Sequence, residues 1–162
     1  MTSMKSFSIV IANDKPHVDT NNTTSALLRK VDDETLNELL ALVVIIVKKF
    51  YNPDYTIINF SFNADDNIKN HYNVYVTVYT DKSVLYHNHF IVTDVSLNDT
   101  PLFVKIVYDS FIFPHIIHTT ISKSLSVSAM LMPWSLSGNN DAVLRFYKRL
   151  RRAISNSFSI EH

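Results

Sequence analysis

The longest apolar run of the chain lies between residues 33 and 51 and predicts a central helix. Its apolar positions follow the i, i+3, i+4, i+7 spacing of one helical face: Leu36, Leu39, Leu40, Val43, Val44 and Val47. No polar residue interrupts the run from Leu39 to Val47, so such a helix must be covered on most sides. Acidic Asp33 suits its N-terminus, basic Lys49 suits its C-terminus, and Pro53 ends it.

A buried strand is the competing interpretation of the same run. Residues 43–47 are five consecutive β-branched residues, which favour extended backbone. The length of the run argues against a strand, and Thr35 and Glu38 have the spacing of a helix capping box. We therefore predict a helix over residues 33–51.

After Pro53 the period of the apolar positions changes to two and predicts a sheet. Four segments are expected to be strands: residues 55–63, 72–80, 84–95 and 102–113. Their connections are too short for helical crossovers, which predicts an antiparallel meander. Near the N-terminus, residues 7–12 predict a further strand at a sheet edge, and residues 13–25 predict a mobile loop.

The turn at Asp81-Lys82 decides which faces of the sheet meet. A two-residue loop would place Val74 and Val76 beside two histidines, whereas a shift of one residue would place them beside apolar side chains. Burial favours the second register, so we predict an odd-length loop or a β-bulge here. The consequence is a second sheet face that bears Tyr75, Tyr79, His87 and His89.

The C-terminal part predicts one more strand and one more helix. Serine alternates with mostly apolar residues over residues 123–131, which is typical of a strand. Residues 141–155 predict a helix whose apolar stripe is Val143, Phe146, Tyr147, Leu150 and Ile154. Residues 156–162 are expected to be a frayed tail. The whole chain, residues 1–162, thus predicts a single α+β domain: an antiparallel meander sheet of four to six strands packed on a central apolar helix, with a C-terminal amphipathic basic helix.

Composition removes several functional classes. The chain has no cysteine, which excludes disulfides, thiolate metal sites and a cysteine nucleophile. Its single glycine, Gly138, cannot build a phosphate-binding loop, a dinucleotide fingerprint or a nucleophile elbow. No run reaches the roughly 20 apolar residues of a membrane span. The short apolar run near the N-terminus lacks the length of a signal peptide, which predicts an intracellular location, cytoplasmic or nuclear.

Positive charge is concentrated near the C-terminus. Five of the fifteen Lys and Arg residues lie within residues 145–152, which contain no acid, so the remaining chain carries ten basic and fifteen acidic groups. Four of the five share the polar face of the predicted helix: Arg145, Lys148, Arg149 and Arg152. Such a layout suits an acidic protein surface, a nucleic-acid backbone or an anionic lipid. The alternative is a helix that only solvates its charges.

Histidines and serines give weaker signals. His87 and His89 are two residues apart on one strand, and His115 and His118 follow Pro114, but a zinc or copper site needs three or four convergent ligands. No acidic residue lies beside either pair in the sequence, and no spacing points to an activated serine. We therefore predict no metal, no cofactor and no enzymatic activity.

These features predict a protein-interaction module: an assembly factor, adaptor or accessory subunit that docks a protein partner or a second copy of itself. The predicted contact residues are Tyr75, Tyr79, His87 and His89 on the sheet, and Arg145, Lys148, Arg149 and Arg152 on the helix. The alternative function is a nucleic-acid-binding protein whose basic helix contacts phosphates. The aromatic residues could also cover the core beneath the C-terminal segment.

Overall fold

The structure is a computed structural model and describes residues 3–93, 100–118, 123, 125 and 140–160. Within these residues one sheet is formed by β1 (Lys5–Ala12), β2 (Lys15–Thr20), β3 (Tyr55–Ala64), β4 (His71–Tyr79) and β5 (Val84–Thr93). All neighbours are antiparallel, in the order β2-β1-β3-β4-β5. The last three strands form three of the four strands of the predicted meander. The first strand lies inside the sheet, not at its edge as predicted.

The helical elements are α1 (Asn22–Leu28), α2 (Asp33–Phe50), α3 (Leu102–Val107), a π-helical turn (Tyr108–Ile112), α4 (Phe113–Ile117) and α5 (Asn140–Ile160). The central helix is confirmed as α2. The Asp32 carboxylate caps it by accepting a hydrogen bond from the Thr35 N–H at 2.8 Å. Because α2 is apolar nearly all round, it is buried at Leu39, Leu42, Val43 and Ile46.

One face of the sheet and the helices share a single core. The buried strand residues alternate as predicted, with Ile58, Phe60 and Phe62 on one side of β3. Phe60 stacks on Phe7 with ring centroids 4.9 Å apart and contacts Phe111 of the π-helical turn edge-on at 6.4 Å. The opposite face of the sheet carries the alternate, partly exposed residues of each strand.

The prediction of a strand over residues 102–113 was wrong, since this segment forms α3 and the π-helical turn. Its residues are buried on nearly every side, and periodicity cannot distinguish a buried strand from a buried helix. Lys105 of α3 is buried among them, and its Nζ donates to the Thr93 carbonyl at 2.6 Å. This bond ties α3 to the end of β5.

The prediction of a loop over residues 13–25 was also wrong. Asn13 and Asp14 have φ values of 52° and 65°, as the two central residues of a type I′ hairpin turn require, and the turn pairs β1 with β2. Pro16 argued against a strand in the sequence, but proline is tolerated in an edge strand. α1 then begins at Asn22.

The predicted C-terminal helix is present as α5, and its five predicted stripe residues are all buried. The helix continues to Ile160, so residues 156–160 are helical where a frayed tail was predicted. The strand predicted over residues 123–131 lies outside the described residues, apart from Lys123 and Leu125. No helix among the described residues is long and apolar enough to cross a membrane.

The predicted irregularity between β4 and β5 is a β-bulge. Thr80 N–H donates to the Ser83 carbonyl at 2.9 Å and closes a two-residue loop. Tyr79 pairs with Val84, but Val78 pairs with Tyr86, so Leu85 is an extra residue on β5. The bulge turns Tyr86 and Phe90 towards the helices and His87 and His89 towards the other face.

Candidate interaction surface

The open face is the sheet face opposite the helices, and it holds the four predicted sheet contacts: Tyr75, Tyr79, His87 and His89. Tyr75 and His89 are paired across β4 and β5, and their rings stack 4.5 Å apart at 11°. The His87 Nδ1 lies 2.9 Å from the Thr77 hydroxyl, and the His89 Nε2 lies 3.1 Å from the Asn73 Oδ1. The sheet thus brings these side chains together, as the register argument predicted.

The middle of the open face is polar. Asn59 Nδ2 donates to the Ser8 hydroxyl at 3.0 Å, and the Ser61 hydroxyl donates to Asn59 Oδ1 at 3.0 Å. These side chains satisfy one another without burying apolar area. The aromatic residues of the face lie around this polar middle: Tyr55 at the start of β3, and Tyr75, Tyr79, His87 and His89 on β4 and β5.

The outer edge of β5 is exposed and uncharged, and three of its exposed side chains are apolar. Val84 is 64% exposed, Ile91 58% and Leu85 40%, and the strand contains no Lys, Arg, Asp, Glu or Pro. Natural sheets usually protect an exposed edge with charges, prolines or short strands, because its unpaired backbone groups can pair with another chain. Among the described residues, no strand pairs with this edge.

One hydrogen bond identifies which backbone groups of β5 point outward. The His89 N–H donates to the side-chain oxygen of Asn88 at 2.8 Å, so it is directed away from β4. In an antiparallel strand these directions alternate from residue to residue, so the backbone N–H and C=O groups of His87 and Ile91 also point away from β4. The same alternation directs the N–H groups of Asn88 and Phe90 towards β4.

An aromatic groove of about 410 Å³ runs along the helix side of β5. The strand contributes Tyr86, Asn88 and Phe90, and the helical elements contribute Phe50, Tyr51, Pro114, His115 and His118. The ring of Tyr86 lies 4.9 Å from that of His115, and Asn88 Nδ2 donates to the Tyr86 hydroxyl at 3.2 Å. The groove is thus built from residues that are distant in the sequence.

His115 is the buried polar group of this groove. Its Nδ1 lies 2.7 Å from the Phe111 carbonyl, which can only accept, so Nδ1 carries the proton. Its Nε2 therefore accepts from the Tyr51 hydroxyl at 2.6 Å. Burial lowers the pKa of His115, and the hydrogen bond to Phe111 opposes this shift in part. Burial is also the main cause that raises the pKa of Tyr51, and the nearby Tyr86 raises it further. Both groups are held neutral, as a hydrogen-bonded pair.

The π-helical turn positions this pair. An extra residue in the turn changes the direction of the following helix, and such turns often occur at functional sites. The Ser110 hydroxyl donates to the Ile106 carbonyl within it. The backbone of Phe111 then presents its carbonyl to His115 one turn later. A purely structural role also fits this arrangement, since a buried histidine whose two nitrogens are both hydrogen-bonded stabilises the groove wall without taking part in catalysis.

The basic residues of α5 lie on its exposed side, namely Arg145, Lys148, Arg149, Arg151 and Arg152. Arg151 Nε forms an ion pair with Glu38 of α2 at 3.2 Å. Two neighbouring grooves of about 260 and 400 Å³ meet at Ser155; the first is lined by Lys148, Arg151 and Arg152, the second by Lys48, Lys49 and Ile45. Ser155 thus lies between the cations of α5 and the two lysines at the end of α2, of which Lys48 forms an ion pair with Asp14 at 3.2 Å.

The sequence did not reveal the aromatic groove or the proximity of Lys48 and Lys49 to α5. Both depend on which helix packs beside which strand, and neither leaves a local spacing. Among the residues that the structure describes, no group of three or more His, Asp or Glu residues is placed to hold a metal ion. No family model and no solved structure matches the chain.

Proposed function

We propose that this protein is a non-enzymatic interaction module that accepts an extended segment of a protein partner along β5. The observation that carries the proposal is the uncharged, ten-residue edge strand with exposed Val84, Leu85 and Ile91. A partner strand would pair with the outward backbone groups of His87, His89 and Ile91. Main-chain hydrogen bonds then supply affinity that does not depend on the partner's sequence.

Side chains of the added strand would supply specificity. Successive residues of a strand point to opposite faces, so they would lie alternately over the aromatic groove and over the open face. On the groove side they would meet Tyr86 and Phe90, which favours an apolar or aromatic residue. On the open side they would meet the stacked rings of Tyr75 and His89, where polar residues are tolerated.

The basic surface of α5 would contribute orientation and association rate. Its five cations lie on a chain whose other charged groups are ten basic and fifteen acidic, so positive charge is concentrated on α5 although the net charge is zero. Exposed charges of this kind accelerate encounter with an acidic surface more than they strengthen the final complex. The intracellular location predicted from the sequence stays a prediction.

The proposal is tested by selecting binders from a displayed library of random linear peptides. The chosen variant is Ile91→Lys, which places a charge on the β5 edge, and the matched control is His17→Lys, which places the same charge on the β2 edge. Selected peptides should bind the wild type and the control equally and bind Ile91→Lys at least about tenfold more weakly. Equal binding to Ile91→Lys would refute docking at β5.

Nucleic-acid binding is the second candidate function. It is favoured by the approach of Lys48 and Lys49 to the cations of α5, which extends the basic surface beyond one helix. Phosphate binding by this surface should weaken steeply with salt. Replacing Arg149 and Arg152 by Ala should reduce binding to single-stranded and double-stranded oligonucleotides, whereas Arg29→Ala should not. Binding that survives high salt, or no binding at all, would remove this candidate.

A further inference from the structure

We infer that the segment that pairs with β5 is β5 of a second copy of this chain, so that two sheets join into one across a two-fold axis. The inference rests on the proposed function and adds the identity of the occupant. A symmetric dimer uses the same surface on both copies, so that surface must be complementary to itself. β5 meets this condition.

The hydrogen-bond directions restrict where the axis can pass. In an antiparallel pair, outward backbone groups must lie opposite outward groups of the partner strand. The outward residues of β5 are His87, His89 and Ile91. The axis must therefore pass through a residue position, and Asn88 and His89 are the two positions near the middle of the strand.

An axis at Asn88 matches like side chains. Counting along the strands, it places the bulge residue Leu85 opposite Ile91 of the partner subunit, so two exposed apolar side chains lie at the same end of the strand pair. On the helix side it places Tyr86 opposite Phe90 of the partner subunit, which is a favourable aromatic cross-strand pair. The half-buried rings that line each groove would then meet across the axis.

An axis at His89 gives poorer matches. Ile91 would lie opposite His87 of the partner subunit, and Phe90 would lie opposite Asn88 of the partner subunit. Both pairs set an apolar side chain against a polar one. The register centred on Asn88 is therefore the one that the surface of β5 supports.

Charge does not oppose this pairing. β5 has no charged residue, and the chain as a whole has a formal net charge of zero, so two copies approach without net repulsion. In the single chain Asn88 Oδ1 accepts the outward N–H of His89. On pairing, this N–H would donate to the carbonyl of His87 of the partner subunit, and Asn88 would rotate away.

The absence of cysteine allows a direct test by single-cysteine cross-linking. With the axis at Asn88, the two copies of residue 88 form a non-hydrogen-bonded pair with Cα atoms about 4.5 Å apart, within the range of a disulfide. Under mild oxidation Asn88→Cys should form a covalent dimer at least about tenfold faster than His17→Cys on the β2 edge. His89→Cys should cross-link poorly, because its copies lie diagonally, about 7–8 Å apart.

Sedimentation equilibrium of the unmodified chain provides the second readout. The wild type should be a dimer, and Ile91→Lys should raise the dimer dissociation constant at least about tenfold. A monomeric wild type would overturn the inference, as would cross-linking that is faster at position 89 or 17 than at 88. A monomer that still binds selected peptides through Ile91 would leave the docking edge intact and remove only the second copy as its occupant.

Discussion

The two edges of the sheet differ in length, charge and backbone chemistry. β2 has six residues, and it includes Pro16, which lacks an N–H, and two exposed charges at Lys15 and Asp19. β5 has ten residues and none of these features. All three features of β2 are known ways of preventing edge-to-edge pairing. Within the described part of the chain, one edge of this sheet is therefore protected and the other is open.

The helix side of each edge shows the same difference. α1 and α2 contact β2, and Val18 packs against the core. Along β5, by contrast, the helical layer leaves the aromatic groove beside Tyr86 and Phe90. An edge strand with unpaired backbone and an adjoining apolar groove is the arrangement that strand-accepting domains use. The comparison thus supports the proposal that a partner docks along β5.

Proline substitutions should give the largest effect, because they test the direction of the β5 backbone groups. Asn88→Pro removes an N–H that points to β4 and should lower the free energy of unfolding by about 3 kcal/mol. Ile91→Pro removes an outward N–H and should cost less than about 1 kcal/mol. Urea denaturation measures both, with Asn88→Ala as the side-chain control. Equal costs at the two positions would contradict the assigned directions.

The pH dependence of stability tests the groove wall. The folded chain holds the pKa of His115 below its ordinary value of 6.5, so the unfolded chain binds the proton first as the pH falls. The contribution of neutral His115 to the free energy of unfolding should therefore be fully present above about pH 6.5. Below that pH it should decrease by at most about 1.4 kcal/mol per pH unit, until the pKa of the folded state is reached.

His115→Phe should remove this part of the pH dependence, whereas His17→Phe on the opposite edge should not. The titratable groups that face His115 are the phenols of Tyr51 and Tyr86 and one further group, the imidazole of His118. His118→Asn provides the control for the remaining group. An unchanged pH profile in His115→Phe would show that the groove does not depend on a neutral histidine.

Removing the protection of β2 should make the two edges alike. In the monomeric Ile91→Lys background, we expect Pro16→Ile combined with Asp19→Ile to restore self-association, with an association constant raised about tenfold. Sedimentation velocity measures it. Asn67→Ile combined with Lys69→Ile places the same two isoleucines in an exposed loop and should not associate. Association of both double variants would mean that apolar area alone, without an edge, is sufficient.

Deletion of Leu85 should have the smallest effect, although it shortens a strand. Its removal leaves Tyr79 opposite Val84 and Val78 opposite Tyr86, so the bulge disappears and the register remains. The cost in unfolding free energy should be below about 1 kcal/mol. Deletion of His87 should lower the free energy of unfolding by more than this. If Phe90 keeps its partner on β4, the deletion shifts Tyr86 by one position and moves its side chain from the helix side of the sheet to the open face. Equal costs would contradict the position of the bulge.

The sequence predicted the parts of the fold that have a period or a cap. α2 was predicted because Asp32 and Asp33 mark its start, and the bulge before Tyr86 was predicted because a regular hairpin would have put histidines against buried valines. α3 was missed because a fully buried helix has no polar face. β2 was missed because Pro16 and the polar residues around it are also typical of loops.

The candidate site was predicted only in part. Tyr75, Tyr79, His87 and His89 follow from strand alternation once the register is known. The groove requires Tyr51, Tyr86 and His115 to meet, and the sequence contains nothing that relates three such distant positions. The position of β5 at an edge of the sheet likewise depends on the strand order, which the alternation of apolar and polar residues does not reveal.

Amide hydrogen exchange distinguishes docking at the β5 edge from docking elsewhere on the molecule. Exchange is compared by NMR for the chain alone, at a concentration where it is monomeric, and with a selected peptide bound. The amides of His87 and Ile91 should exchange fast in the monomer and become protected in the complex, while the amides of β2 are unchanged. Protection on β2 or α5, with His87 and Ile91 unaffected, would contradict docking at β5.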